Sequence, residues 1–406
     1  MTQPITDLIH HPYMPPAGFA SPQPGVFKAS TVIFPNSAAM RARQWKDKTG
    51  YTYGLHGTPT TFMLEERLAS LEGGSQCLLV PSGLSAISAV SMALLKTGDE
   101  VLIPDNAYGP NKALAEGELK NWGISHQYYD PMNPADLAAR ISPQTRLVWV
   151  EAAGSVTLEF PDVCELVRVC RAKGVLVVLD NTWGAGLAFK PFDLTPGSSA
   201  PLAVDISVHA LTKYPSGGGD VLMGSIITVD AALHLKIKLS HMRIGFGVSG
   251  NDAEMVLRSL PSIGLRYTAH DVSTRALAAW CLSRSEFAQV LHPALPSSPG
   301  HAQWKALCRN DAGGAAGLLS VVFKPEYSLQ QVDAFCDALR LFKLGTSWGG
   351  PMSLVVSYDL ASMRQTWPAQ IARGRVVRFS IGLEAVADLQ ADLAQALAAM
   401  RPKTAE

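Results

Sequence analysis

Charge of one sign is not in excess: Lys plus Arg and Asp plus Glu each number 34 in 406 residues. No net field exists to hold nucleic acid or an anionic membrane, so small molecules are the expected partners. Charged residues are scarce, 17% against 47% hydrophobic, which excludes a disordered or fibrous chain and favours a large folded interior. The six cysteines, Cys77, Cys164, Cys170, Cys281, Cys308 and Cys336, include no C-x-x-C pair and no Cys/His cluster of metal spacing. Neither a disulfide framework nor a zinc site is expected. The N-terminus, with Asp7 and several prolines, offers no continuous apolar stretch, which reads as neither a secretory signal nor a membrane span. A cytoplasmic location is therefore expected. There is also no G-x-x-x-x-G-K-[ST] loop, which counts against a nucleotide-dependent phosphotransferase, and no internal repeat.

What is present suits two or three domains sharing an interface. Residues 1–60 are rich in Pro, Gly and Thr with little periodicity, and read as an extended arm of the kind that reaches a neighbouring subunit. From Phe62 the spacing of Leu64, Leu68 and Leu71 predicts a helix that stops at Gly73-Gly74. Apolar runs of strand length follow at Cys77–Val80, Val101–Ile103, Leu147–Val150, Val175–Leu179 and Val221–Ile227, with amphipathic stretches such as Leu84–Leu95 and Val163–Ala172 between several of them. This alternation predicts an α/β fold with a mostly parallel sheet covered by helices on both faces. Beyond that large domain, taken as 61–250, long helical patterns over 252–290 lead into the strand-like Leu318–Phe323 and Val376–Ile381 and helices near 328–342 and 384–400. These predict a smaller α+β domain over 251–406, entered through a linking helix.

Three short segments hold residues that suit chemistry. Val175–Leu179 is a buried-strand pattern ending in Asp180, and open α/β sheets bind ligands beyond the carboxyl ends of their strands. A helix N-cap or a magnesium ligand would explain Asp180 equally well. Around Lys213, a strand opens through Thr212 into a glycine-rich turn ending at Asp220; alone, Lys213 reads as a solvated loop lysine. Val80-Pro-Ser82-Gly83-Leu84 runs from a strand into a helix, whose first amides suit a phosphate, although an ordinary capped turn looks the same. Taken in order, a phosphate-ready helix start, a strand-end carboxylate and a downstream lysine match the requirements of pyridoxal phosphate: a phosphate cradle, a partner for the pyridinium nitrogen and a Schiff-base amine.

At these residues the chain resembles the Cys/Met-metabolism family of pyridoxal-phosphate enzymes, and within it the bacterial β-lyase branch. The likeness runs from about Tyr51 to the C-terminal helix. It is carried by Tyr53-Gly-Leu-His-Gly-Thr-Pro-Thr, Leu71-Glu-Gly-Gly, Pro81-Ser-Gly, Asn106-Ala-Tyr108, Glu151-Ala-Ala-Gly-Ser155-Val-Thr-Leu-Glu159, Asp180-Asn-Thr-Trp-Gly-Ala-Gly, Thr212-Lys213-Tyr214, Ser347-Trp348-Gly-Gly and Val377-Arg378-Phe-Ser-Ile-Gly-Leu-Glu384. The resemblance implies a type I pyridoxal-phosphate transferase fold, with an arm, a seven-stranded cofactor domain and a small C-terminal domain. It also implies a catalytic dimer, commonly doubled into a tetramer.

By the same resemblance, the amides around Ser82, Gly83 and Leu84 and the Thr212 hydroxyl hold the phosphate, and Tyr53 reaches it from the partner subunit. Tyr108 stacks on the ring, Asp180 pairs with its nitrogen, and Lys213 both anchors the cofactor and removes the substrate Cα proton. Arg378, with Ser347 and Trp348, receives the substrate carboxylate; a structural salt bridge is the other reading of Arg378. The reaction implied is α,β-elimination of L-cystathionine to homocysteine, pyruvate and ammonia, with other cysteine S-conjugates open as substrates. A γ-lyase or γ-synthase of the same family, or a catalytically silent homologue, is the alternative. The arm departs from the family's Tyr-x-Arg, because its third position is Leu55, followed by His56. A charge-assisted contact of about 1.5–3 kcal/mol to the phosphate is thereby lost or replaced.

Overall fold

The computed structural model describes residues 4–308 and 313–400. Seven strands form the large sheet: β1 (Gln76–Val80), β2 (Glu100–Pro104), β3 (Ser125–Tyr129), β4 (Thr145–Glu151), β5 (Leu176–Asp180), β6 (Ile206–Ala210) and β7 (Gly224–Thr228). Their order is β1-β7-β6-β5-β4-β2-β3, and only β7 runs antiparallel to its neighbours. Strands buried on both faces read as continuous apolar runs, which is why β1, β2, β4 and β5 were visible in the sequence. The faces are covered by separate cores. Leu64, Leu68 and Leu71 of the helix Pro59–Glu72 pack with Leu166 and Cys170 on one side. Ala86, Ile87 and Val90 of the helix Gly83–Leu94 pack with Val178 and Val208 on the other.

A second sheet comprises β8 (Phe287–Leu291), β9 (Leu318–Phe323), β10 (Lys343–Leu344), β11 (Leu354–Tyr358) and β12 (Val376–Ser380), ordered β10-β11-β12-β9-β8. Helices Ile263–Leu282, Leu329–Ala338 and Val386–Ala399 contribute to its own apolar core around Val321, Phe335, Phe379 and Leu393.

Three expectations need correction. The helical pattern over 252–290 breaks after Leu282, and Phe287–Leu291 is a strand, so a short apolar run was read with the wrong period. The arm is not wholly extended, since Pro4–Ile9 and Ser37–Arg41 are helical and Gly54–His56 forms a 3-10 turn. The strand expected at Val221–Ile227 begins only at Gly224, which pairs with Val80 and Ala210.

Candidate active site

A cavity of about 480 Å³ lies where the carboxyl ends of β4, β5 and β6 meet loops of the second sheet. Asp180, the last residue of β5, is in its wall. Its Oδ1 accepts the Thr182 N–H at 3.0 Å and the Thr182 hydroxyl at 2.5 Å, whereas Oδ2 accepts no hydrogen bond from the described residues. Desolvation raises the Asp180 carboxyl above its ordinary value, and the Thr182 donors offset part of the rise.

Lys213 follows β6 in the turn after Ala210. Its Nζ donates to Ser347 Oγ at 2.9 Å and sits 5.4 Å from the centre of the Trp348 ring. Burial, reinforced by the positive charge of Arg378 and opposed by Asp180, pushes the Lys213 amine down to about 8. The same wall carries the helix Gly83–Leu94, capped by Ser82, whose Oγ accepts the Ser85 N–H at 3.0 Å. Gly83 is required there, since a Cβ at that position would stand 2.6 Å from the Ala210 Cβ. Leu84 lines the cavity beside Gly83, and so does Thr212, whose hydroxyl bonds the Met223 backbone.

Tyr108 precedes the helix Gly109–Leu114, and its backbone N–H donates to Glu151 Oε2 at 2.7 Å. Glu151 ends β4 and pairs in register with Asp180 on β5. Burial first, and the Asp180 charge second, raise the Glu151 carboxyl well above the usual range. In the sequence Glu151 was a landmark without a role; a strand that ends in an acid, as β5 does, was the available signal.

From the second sheet, β12 delivers Arg378, only 7% exposed. Among the described residues no carboxylate pairs with it, so the structural salt bridge considered above is not formed; the ring of Tyr358 lies 5.3 Å from its Cζ. Trp348 joins the cavity wall, and Ser347 reaches the site through its bond to Lys213. Tyr53 does not line its own chain's cavity; it bridges Thr31 within the arm. Leu55 lines a separate small pocket with Lys238 and His241, while His56 accepts or donates a 2.7 Å bond with the Thr52 hydroxyl and stacks on Trp45.

An amide-lined helix start, a carboxylate with one oxygen uncommitted and a desolvated amine share one cavity, and this donor set fits pyridoxal phosphate. The model for the Cys/Met metabolism PLP-dependent enzyme family matches residues 5–398. A Rhizobium johnstonii protein provisionally named a cystathionine β-lyase is 40% identical, covering 94% of this chain and 92% of its own. A cystathionine β-lyase of Bordetella avium is 36% identical over 97% of each chain. At 33% identity stands an L-alanine/L-glutamate racemase of Wolbachia pipientis, covering 93% of each chain. The solved cystathionine γ-synthase of Xanthomonas oryzae pv. oryzae, in complex with aminoacrylate and cysteine, superposes with a TM-score of 0.86 at 27% identity, covering 98% of this chain and 99% of that one.

Fold and comparisons together define a pyridoxal-phosphate enzyme of the type I plan, with a large mostly parallel sheet domain and a smaller one. The chain belongs to the Cys/Met-metabolism family of pyridoxal-phosphate enzymes, and the relatives named here include carbon–sulfur lyases and synthases as well as a racemase. No helix among the described residues is long and apolar enough to cross a membrane.

Proposed function

We propose that this protein is a cystathionine β-lyase that splits L-cystathionine into homocysteine, pyruvate and ammonia by α,β-elimination. The observation that carries an amino-acid substrate is Arg378: a buried guanidinium with no carboxylate partner among the described residues, in the same cavity as Lys213 and Asp180. A substrate α-carboxylate supplies the missing partner. The β-lyase names of the two most similar relatives described above support the choice of bond.

Pyridoxal phosphate, when bound, supplies a ring that takes up the electron pair left at Cα. The amides of Ser82, Gly83 and Leu84, with the Thr212 hydroxyl, hold its phosphate, and Tyr53 approaches that phosphate from a neighbouring subunit. Tyr108 stacks on the ring, and Asp180 keeps a proton on the ring nitrogen. Lys213 holds the cofactor until substrate arrives and then takes the Cα proton. An amine lowered to about 8 has a free base form available near neutrality, which a lysine of ordinary basicity lacks. Ser347 aims that amine by accepting its hydrogen bond. The Cβ–S bond then breaks with its electron pair on sulfur while the pair left at Cα forms a Cα=Cβ bond; the thiolate leaves and takes up a proton as homocysteine, and water converts the released three-carbon enamine to pyruvate and ammonia. Residues 1–60 serve as the arm in a catalytic dimer that doubles into a tetramer, 61–250 as the cofactor domain and 251–406 as the small domain, in the cytoplasm.

The test is to record the visible spectrum of the purified protein, add L-cystathionine, and assay pyruvate, free thiol, 2-oxobutyrate and, with L-alanine, D-alanine. Pyruvate with homocysteine, both abolished by Lys213→Ala, is the expected result. Formation of 2-oxobutyrate and cysteine would replace it with γ-elimination, and D-alanine without pyruvate with racemisation.

A further inference from the structure

Arg378 poses a problem that its proposed role does not solve. A guanidinium has five N–H donors in a planar fork, and a fork that must meet a carboxylate in two places has to be aimed beforehand. Protein carboxylates commonly do this, but they occupy the edges that the substrate needs. Among the described residues Arg378 has neither an ion pair nor a hydrogen bond. Its side chain is nonetheless largely withdrawn from water.

The register of the second sheet shows what lies against it. Strands β11 and β12 are antiparallel, with Val356 opposite Arg378 and Tyr358 opposite Val376. Tyr358 is two residues beyond Val356, so it projects from the same face and is the diagonal neighbour of Arg378, within reach of an aromatic side chain. Its ring centre lies 5.3 Å from the Arg378 Cζ. The ring itself is seated, packing against the apolar cluster that includes Val156, Leu360 and Ile371. Tyr358 also lines the cavity, and its hydroxyl has no hydrogen-bond partner among the described residues.

An aromatic face attracts a guanidinium through the ring quadrupole and leaves every N–H edge free. We propose that Tyr358 is a positioning residue for Arg378, its ring serving as the platform that aims the guanidinium fork at the substrate carboxylate. This rests on the reading of Arg378 as the carboxylate receptor. It assigns the aiming to the ring and not to the hydroxyl.

The experiment compares Tyr358→Phe, which keeps the ring, with Tyr358→Leu and Tyr358→Met, which remove it; the second ring-less variant serves should the first fail to fold. Steady-state kinetics with L-cystathionine are measured on each holoenzyme, together with the dissociation constant of glycine read from the change in visible absorbance. Loss of a desolvated cation–π contact is expected to raise KM and the glycine constant about tenfold, with kcat within about twofold, and Tyr358→Phe is expected to restore both. Unchanged values in both ring-less variants would overturn the proposal, and so would a Tyr358→Phe enzyme as impaired as Tyr358→Leu. Arg378→Ala separates the two levels of the argument. If it leaves KM and glycine binding untouched, the carboxylate reading itself has failed, whereas a large rise there beside silent Tyr358 variants rejects only the platform.

Discussion

Lys213 lies between charges that act on it in opposite directions. Burial and the Arg378 cation disfavour its ammonium form, and Asp180 favours it, with a net lowering from 10.5 to about 8. Only the free amine can capture pyridoxal phosphate, so uptake by the apoenzyme should rise with pH through a midpoint near 8, followed by stopped-flow absorbance. Arg378→Ala removes a neighbouring cation and should move that midpoint upward; Asp180→Asn removes an anion and should move it downward. The same shift has a stability sign. Between about 8 and 10.5 the unfolded chain binds the proton that folded Lys213 has released, so the apoenzyme gains stability from this residue as pH rises across that window. Lys213, Asp180 and Ser82 could be picked out in the sequence because each sits beside a strand end or helix start with a recognisable local pattern. Glu151 also ends a strand, but neither its role nor that of Tyr358 could be assigned from the sequence. The proximity of one to Asp180 and of the other to Arg378 depends on strand register, which a single chain does not display.

In both sheets some strands were harder to read than the long buried apolar runs. Strand β3, with the sequence Ser-His-Gln-Tyr-Tyr, lies at a sheet edge and has no apolar run to announce it. Strand β11 was likewise passed over, although it carries Tyr358. Polar residues also join elements across long gaps in the chain. Asp392, in the helix Val386–Ala399, is 5% exposed and accepts the backbone N–H groups of Arg340, Leu341 and Phe342, the closest at 2.7 Å. These amides emerge just past the helix Leu329–Ala338, and among the described residues they have no other acceptor. Asp392→Ala should therefore cost about 1–3 kcal/mol, the penalty for leaving these donors without their shared acceptor, as measured by urea unfolding. The visible spectrum of the cofactor should be unaffected, because Asp392 is not part of the cavity wall.

Across the whole molecule, a short strap couples the two sheets. Arg364 donates to Glu159 at 2.6 Å and to the Thr157 hydroxyl, Lys112 donates to the Met363 carbonyl at 2.7 Å, and the Gln365 N–H reaches both Asp105 oxygens at 3.1 Å. Arg364 and Glu159 are almost wholly buried, with side chains 4% and 2% exposed. Arg364→Ala would leave Glu159 buried beside an empty place, a loss of about 3–5 kcal/mol in thermal or chemical denaturation. It should also raise KM for L-cystathionine, since Met363 and Tyr358 in the cavity wall flank the strap, while the cofactor dissociation constant stays close to wild type. A second sheet was anticipated from the strand-like Leu318–Phe323 and Val376–Ile381 beyond the large domain. The strap was not, because it joins residues more than 200 positions apart through polar contacts that leave no periodic trace.

The division of the cavity between two sheets bears on how such an enzyme can acquire new specificity. The amine and the carboxylate that suit cofactor chemistry hang from the large sheet, and the guanidinium with its aromatic neighbour hangs from the small one. Substitutions in the second sheet that keep Arg378 and Ser347, the two groups there that act on Lys213, can therefore re-tailor which amino acid is gripped, and at what angle, while the residues of the large sheet stay unchanged. Descent with altered substrate preference then requires changes in one module only.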